Sequence, residues 1–161
     1  MSERKSVRTI TINTDASHHH QTKCGGYAFY IVSDLFKIKK SGKFKVNPEN
    51  STDAEMYCII NALHTLSIQD LPTVTHLVLN TDCIPCINMI MNPMTQLALK
   101  GKGYWDKIIE LTEAKNYSIR HVKAHVKGHR TKREGANEWC DQEAKKHMRE
   151  AVENFKKEKN V

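Results

Sequence analysis

The sequence predicts an α/β domain with a five-stranded mixed sheet, antiparallel in its first three strands and parallel beyond them, flanked by helices. Three observations predict it. Residues 7–17 alternate, are rich in β-branched side chains and close on Thr14-Asp15-Ala16, which reads as a strand ending in a carboxylate. Residues 76–82 have the same grammar and close on Thr81-Asp82-Cys83. Residues 51–68 and 137–156 instead place apolar side chains at helical spacing. Adjacent strands ending in Asp15 and Asp82 would set two negative charges side by side at one edge of the sheet. Like charges that close are costly unless a cation neutralises them, so the pattern points to a metal site.

The 161 residues suit a single domain over 1–161, with 1–6 and 157–161 as frayed tails. A formal net charge of +7 and a pI of 9.2 favour a polyanionic partner, nucleic acid before membrane. A merely soluble basic protein would carry the same charge. Residues 1–10 are polar and charged, and no apolar run is long enough to span a bilayer. The 5 cysteines are an odd number. A reducing, cytoplasmic setting is the expectation, with no membrane partner.

Residues 7–14 form the first strand. His18-His19-His20 sits in a polar loop, Gly25-Gly26 marks a turn, and residues 27–32 form the second strand. Residues 35–46 form the third, where Phe36, Ile38, Phe44 and Val46 share one parity and the intervening lysines mark a solvated face or an edge. Short turns make these three an antiparallel meander. Ser51 or Thr52 caps a helix running to about residue 68, with Met56, Ile59, Ile60, Leu63 and Leu66 on its core face. Glu55 and Asp53 lie in its first turns, where an acidic residue also complements the helix dipole. Asp70-Leu71-Pro72 stops the helix. Residues 74–81 then form a strand parallel to the first.

Cys83-Ile84-Pro85-Cys86 opens a short helix. A Cys-x-x-Cys after a strand is the context of a thioredoxin-type redox site. All 4 prolines fall within the first 93 residues, so no proline well downstream of the cysteines is available for that fold, and Pro85 reads as a first-turn proline. A helix over residues 104–115 and a strand over 117–126 follow. His121, His125 and His129 are spaced by four, which would suit zinc on a helix; the valines and Gly128 argue for strand and turn. Residues 127–135 are a basic loop. The last helix begins near Asn137 or Glu138, with Asp141 in its first turn or so and Cys140, Ala144, Met148, Ala151, Val152 and Phe155 as its apolar stripe.

In this order the carboxylates fall at the end of the first strand, early in the first helix, after the fourth strand and early in the last helix. The matching stretches are Thr14-Asp15-Ala16-Ser17, Ser51-Thr52-Asp53-Ala54-Glu55-Met56, Asn80-Thr81-Asp82-Cys83, and Val126-Lys127-Gly128-His129 with Asn137-Glu138-Trp139-Cys140-Asp141-Gln142-Glu143-Ala144. By these the chain resembles a type 1 ribonuclease H, over about residues 7–150. The last block is the most specific.

The resemblance implies a ribonuclease H-like fold and a metal-dependent endonuclease that cuts the RNA strand of an RNA–DNA hybrid. It implies Asp15, Glu55, Asp82 and Asp141 as metal-binding carboxylates and His129 as a group aiding proton transfer or product release. Two Mg²⁺ ions are the implied cofactor, with Mn²⁺ as an alternative. Ser17, Ser51, Thr52, Lys100, Lys102 and Lys127 are candidate nucleic-acid contacts. Ser51-Thr52 stands where the family has an asparagine pair. The segment between Asp82 and Trp105 is too short for the family's basic handle helix, so Lys100 and Lys102, or a helper protein, would supply that grip. A monomer is expected. Two other readings stay open: a related nuclease for branched DNA or double-stranded RNA, and a non-catalytic nucleic-acid-binding adaptor on the same fold.

Overall fold

The computed structural model describes residues 7–34, 36–68, 74–91, 117–121 and 132–159. In chain order these form β1 (Val7–His18), β2 (Gly25–Val32), β3 (Lys37–Lys43), α1 (Ser51–Ser67), β4 (Val74–Thr81), α2 (Ile84–Met91), β5 (Tyr117–His121) and α3 (Lys132–Lys159). The strands make one sheet in the order β3-β2-β1-β4-β5. β1, β2 and β3 are mutually antiparallel neighbours, whereas β4 is parallel to β1 and β5 is parallel to β4. The expected meander and the expected parallel strands are both present. The expected helix over 104–115, residues 122–126 of the last strand and the tail 1–6 lie outside the described residues.

Period-two patterning assigns the two faces. On β2, Tyr27, Phe29 and Ile31 turn toward α1, while Ala28 and Tyr30 turn toward α3. The larger core joins Ile10 and Ile12 of β1 and Leu77 and Leu79 of β4 to Met56, Ile59 and Leu63 of α1 and Cys86 of α2. Each such aliphatic side chain contributes about 1.5–3 kcal/mol by leaving water. The smaller core sets Cys140 and Ala144 of α3 against Ala28. Three thiols seat the helices on backbone carbonyls. Cys58 of α1 donates to Asp15 O (3.2 Å) and Ala28 O (3.3 Å), Cys86 of α2 to Thr52 O (3.6 Å), and Cys140 of α3 to Asn13 O (3.5 Å).

Several boundaries differ from expectation. β1 does not stop at Asp15 but continues to His18, because β2 keeps pairing with it through His18↔Gly25. His18 is therefore a strand residue, and its Nε2 lies 2.9 Å from Pro48 O. Gly25 and Gly26 belong to β2 rather than to a turn. A Cβ on Gly26 would fall on Ala144 O, 2.6 Å from Met148 N and 2.8 Å from His147 Cβ, so the glycine is what lets α3 approach the sheet. β3 ends at Lys43, and Val46 beyond it is 75% exposed rather than aligned with Phe36 and Ile38. The α1 cap is Asn50, whose Oδ1 accepts from Asp53 N at 2.8 Å, rather than Ser51 or Thr52. The expected Asp70-Leu71-Pro72 stop lies outside the described residues.

The last helix starts at Lys132, not near Asn137. Lys132, Arg133, Glu134 and Ala136 are good helix formers, and the single Gly135 among them costs only about 1 kcal/mol. Asn137 is consequently a buried helix-interior residue, and Asp141 sits well past the first turn, away from any dipole role. The apolar stripe is as expected, with Cys140, Ala144 and Val152 buried. α3 also straps the edge strand: Ser41 Oγ lies 3.0 Å from His147 Nε2 and donates to Glu143 Oε2 at 3.2 Å. Lys39 Nζ sits over the rings of Tyr30 and Trp139, at 4.9 and 5.1 Å. The Gly26→Ala variant is expected to lose about 2–3 kcal/mol of stability through overpacking against the α3 backbone, read as a lowered urea midpoint; an unchanged midpoint would show that α3 shifts freely.

Candidate active site

The ladder between β1 and β4 ends at Asn13↔Asn80, yet β1 goes on to His18 along β2. Asp15 therefore stands just beyond the point where the central strand loses its parallel neighbour. Strand ends in an open α/β sheet are where such crevices form. Asn80 Nδ2 donates to Asn13 Oδ1 at 3.0 Å and fixes that last rung. Asp82 follows β4 directly, and Cys83 N donates to Thr81 Oγ1 at 3.1 Å, shaping the turn beneath it. Glu55 comes from the second turn of α1, on the helix face that packs on the sheet.

One oxygen from each of Asp15, Glu55 and Asp82 lies within 4.8 Å of the others. Asp15 is 3% exposed and Glu55 8%. A single backbone donor serves two of them: Ala16 N donates to Asp15 Oδ1 at 2.9 Å and to Glu55 Oε1 at 3.1 Å. Glu55 Oε2 is buried and accepts no hydrogen bond from the described residues. Burial, then the charge of Asp82 and, less, Asp141, together push the Asp15 carboxyl up to about 8 against a hydrogen bond with Glu55 that pulls the other way. Burial, then Asp15 and Asp82, holds Glu55 well above the usual carboxylate range. Asp141 thus lies close enough to Asp15 to act on it by charge and by a side-chain hydrogen bond. It also pairs with Lys145 Nζ at 3.1 Å, one turn further along α3.

The donor set fits a hard divalent cation. It consists of carboxylate oxygens, one of them lacking a partner, in a corner where their own charges are unwelcome. Asp53, the alternative to Glu55, stays outside the cluster, with its N–H on the Asn50 cap. Ser17 is a β1 residue paired with Gly26, and Ser51 is the exposed first residue of α1. Thr52 carries the carbonyl that accepts the Cys86 thiol. His129, Lys100, Lys102 and Lys127 lie outside the described residues. Lys145 and the Asn13–Asn80 pair were missed by reading the sequence. The i, i+4 spacing of Asp141 and Lys145 signals the first; nothing local signals the second.

Sheet order, the α1 crossover and the acidic corner define a ribonuclease H-like fold. The family model described as RNase H matches residues 7–149, and the chain belongs to that family. Among solved structures, LC9-RNase H1, a type 1 RNase H with the type 2 active-site motif, is similar with a TM-score of 0.65 and 13% identity, covering 93% of this chain and 76% of its own. RNase H1 from the halophilic archaeon Halobacterium salinarum NRC-1 gives 0.61 and 16%, covering 89% and 99%. The protease-reverse transcriptase of prototype foamy virus gives 0.63 and 14%, covering 92% of this chain but 22% of its own. No curated protein sequence matches. No described helix is long and apolar enough to cross a membrane.

A raised folded-state pKa gives Asp15 a definite pH signature. Below about pH 4 the folded and unfolded chains both hold the proton. As pH rises from 3.8 toward 8 the unfolded chain releases it while the folded chain keeps it, so the folded state loses stability across that window. In EDTA, Asp15→Asn should therefore become more stable than the parent as pH rises from 4 to 8, by about 1–3 kcal/mol at the upper end. Parallel thermal melts at each pH check this; a gap independent of pH would refute the buried-charge account.

Proposed function

We propose that this protein is a metal-dependent endonuclease that hydrolyses the RNA strand of RNA–DNA hybrids. The convergence of Asp15, Glu55 and the partly exposed Asp82 on one point, in a member of the RNase H family, carries the reading. Asp15, Glu55, Asp82 and Asp141 are the residues that would hold the divalent cations, two Mg²⁺ or Mn²⁺. When bound, such a pair activates water for in-line attack and offsets charge on the departing 3′ oxygen.

The chain's own residues supply position. Ala16 N–H locks Asp15 to Glu55 and fixes both carboxylates before substrate arrives. Lys145 orients Asp141 from the adjacent turn of α3. His129, by its place ahead of α3 in the sequence, moves a proton to or from the product side. Ser17, two residues beyond Asp15, and Ser51 and Thr52, which open the helix carrying Glu55, would contact the sugar-phosphate backbone, with Lys100, Lys102 and Lys127. Concentrating acids where phosphates must sit weakens nucleic-acid binding without a cation, so the arrangement favours catalysis over an adaptor role.

Labelled RNA offered as hybrid, RNA duplex and single strand, each with Mg²⁺ or EDTA, tests the reading. Cutting is expected in the hybrid only, and only with metal. Asp15→Asn should abolish cutting with the fold intact, and Glu55→Gln or Asp82→Asn should lower it by roughly 100-fold or more, at or beyond what loss of an outer-shell partner costs. Undiminished cutting by Asp15→Asn would sink the site assignment. Binding of intact hybrid without cutting would move the protein to the adaptor class.

A further inference from the structure

A second feature lies apart from the acidic corner. An open groove of about 720 Å³ runs between the edge of the sheet and the later turns of α1. Its aromatic side is continuous: Tyr27 and Phe44 have ring centroids 5.2 Å apart, and Phe44 and Tyr57 6.2 Å. Lys40, Lys43 and Lys45 line it from β3 and the segment just beyond, and all three are exposed. Among the described lining residues none is acidic. The α1 residues that line it run from Tyr57 to Thr65, about 12 Å along the helix axis. Tyr57 is two residues beyond Glu55 on the same helix, which turns it to a different side of α1 from the acidic corner.

The geometry points to a binding groove for unpaired nucleic acid, a single-stranded segment held apart from the acidic corner. The inference rests on the nucleic-acid reading above and extends it to a second subsite. Cations flanking a row of aromatic rings are the combination that holds single strands: lysines follow the phosphates and rings stack on bases. Paired bases have their faces occupied by one another, so a duplex cannot use Tyr27, Phe44 and Tyr57 in this way. An acidic polypeptide could meet the lysines but offers no planar bases for the rings. The lysines also serve as protection for an edge strand; that role alone does not account for the aromatic row beneath them.

The test is fluorescence anisotropy of the whole chain with a fluorescein-labelled dT12 oligonucleotide in EDTA, titrated with salt. A 5-iodouracil version of the same oligonucleotide maps the contact by photo-crosslinking. The parent should bind and crosslink at Tyr27, Phe44 or Tyr57. Lys40→Ala/Lys43→Ala/Lys45→Ala should bind at least about tenfold more weakly at low salt, and its salt slope should fall by about 2, as expected for three lost phosphate contacts on a single strand. The charge-matched Lys146→Ala/Lys156→Ala/Lys157→Ala variant, altered on the exposed face of α3, should stay within about twofold of the parent. Equal losses in the two triples, crosslinks elsewhere, or equal competition by polyglutamate of the same charge would each overturn the groove assignment. Hybrid cleavage by the parent is measured alongside. A parent that cuts hybrid without binding dT12 refutes the groove alone, and one that binds dT12 without cutting refutes the nuclease reading alone.

Discussion

The N–H of Ala16 reaches both Asp15 Oδ1 and Glu55 Oε1, and this one shared donor holds together two groups that would otherwise repel. Everything around it serves to keep that contact in place. The Cys58 thiol ties α1 to the carbonyl of Asp15 itself, the Asn13–Asn80 pair closes the last rung of the parallel ladder, and Gly26 lets α3 bring Asp141 in from the opposite face. A buried carboxylate cluster is unfavourable in isolation. It persists because two helices packed on opposite faces of a continuous sheet leave its members no room to separate.

Charge is divided within the molecule. The whole chain carries +7, yet the cluster formed by Asp15, Glu55 and Asp82 is entirely acidic. Among the described residues, exposed lysines line the β3 edge (Lys37, Lys39, Lys40 and Lys43) and α3 (Lys146, Lys156, Lys157 and Lys159). On the proposed function a polyanion would be drawn to the protein by the long-range field, whereas the acidic corner would accept phosphate only with a cation present. Attraction and selectivity therefore come from different parts of the surface.

The sequence made the strand and helix order legible wherever period and length spoke clearly, as for β4, whose bounds agree, and for the core face of α1. Asp15, Glu55 and Asp82 could be picked out because each follows or opens a well-patterned element. What could not be read depended on partners distant in sequence. β1 runs past Asp15 because β2 continues to pair with it, and no local signal in Ala16-Ser17-His18 reports that. Gly26 looks like a turn residue until α3, well over a hundred positions later, is seen to press on it. Asn50 outcompetes Ser51 and Thr52 as a cap by one position, a choice that side-chain preference alone does not make. Gly135 concealed the first turns of α3 because its helix cost is real but smaller than what its neighbours supply.

Each described helix places one buried thiol on a backbone carbonyl: Cys58 from α1, Cys86 from α2 and Cys140 from α3. A thiol reagent can reach such a sulfur only when its helix lifts from its seat, so native-state labelling rates report helix-by-helix opening. The molecule thus carries its own set of three clocks, one for each helix that bounds the acidic corner. They separate local breathing from global unfolding with no cysteine introduced or removed.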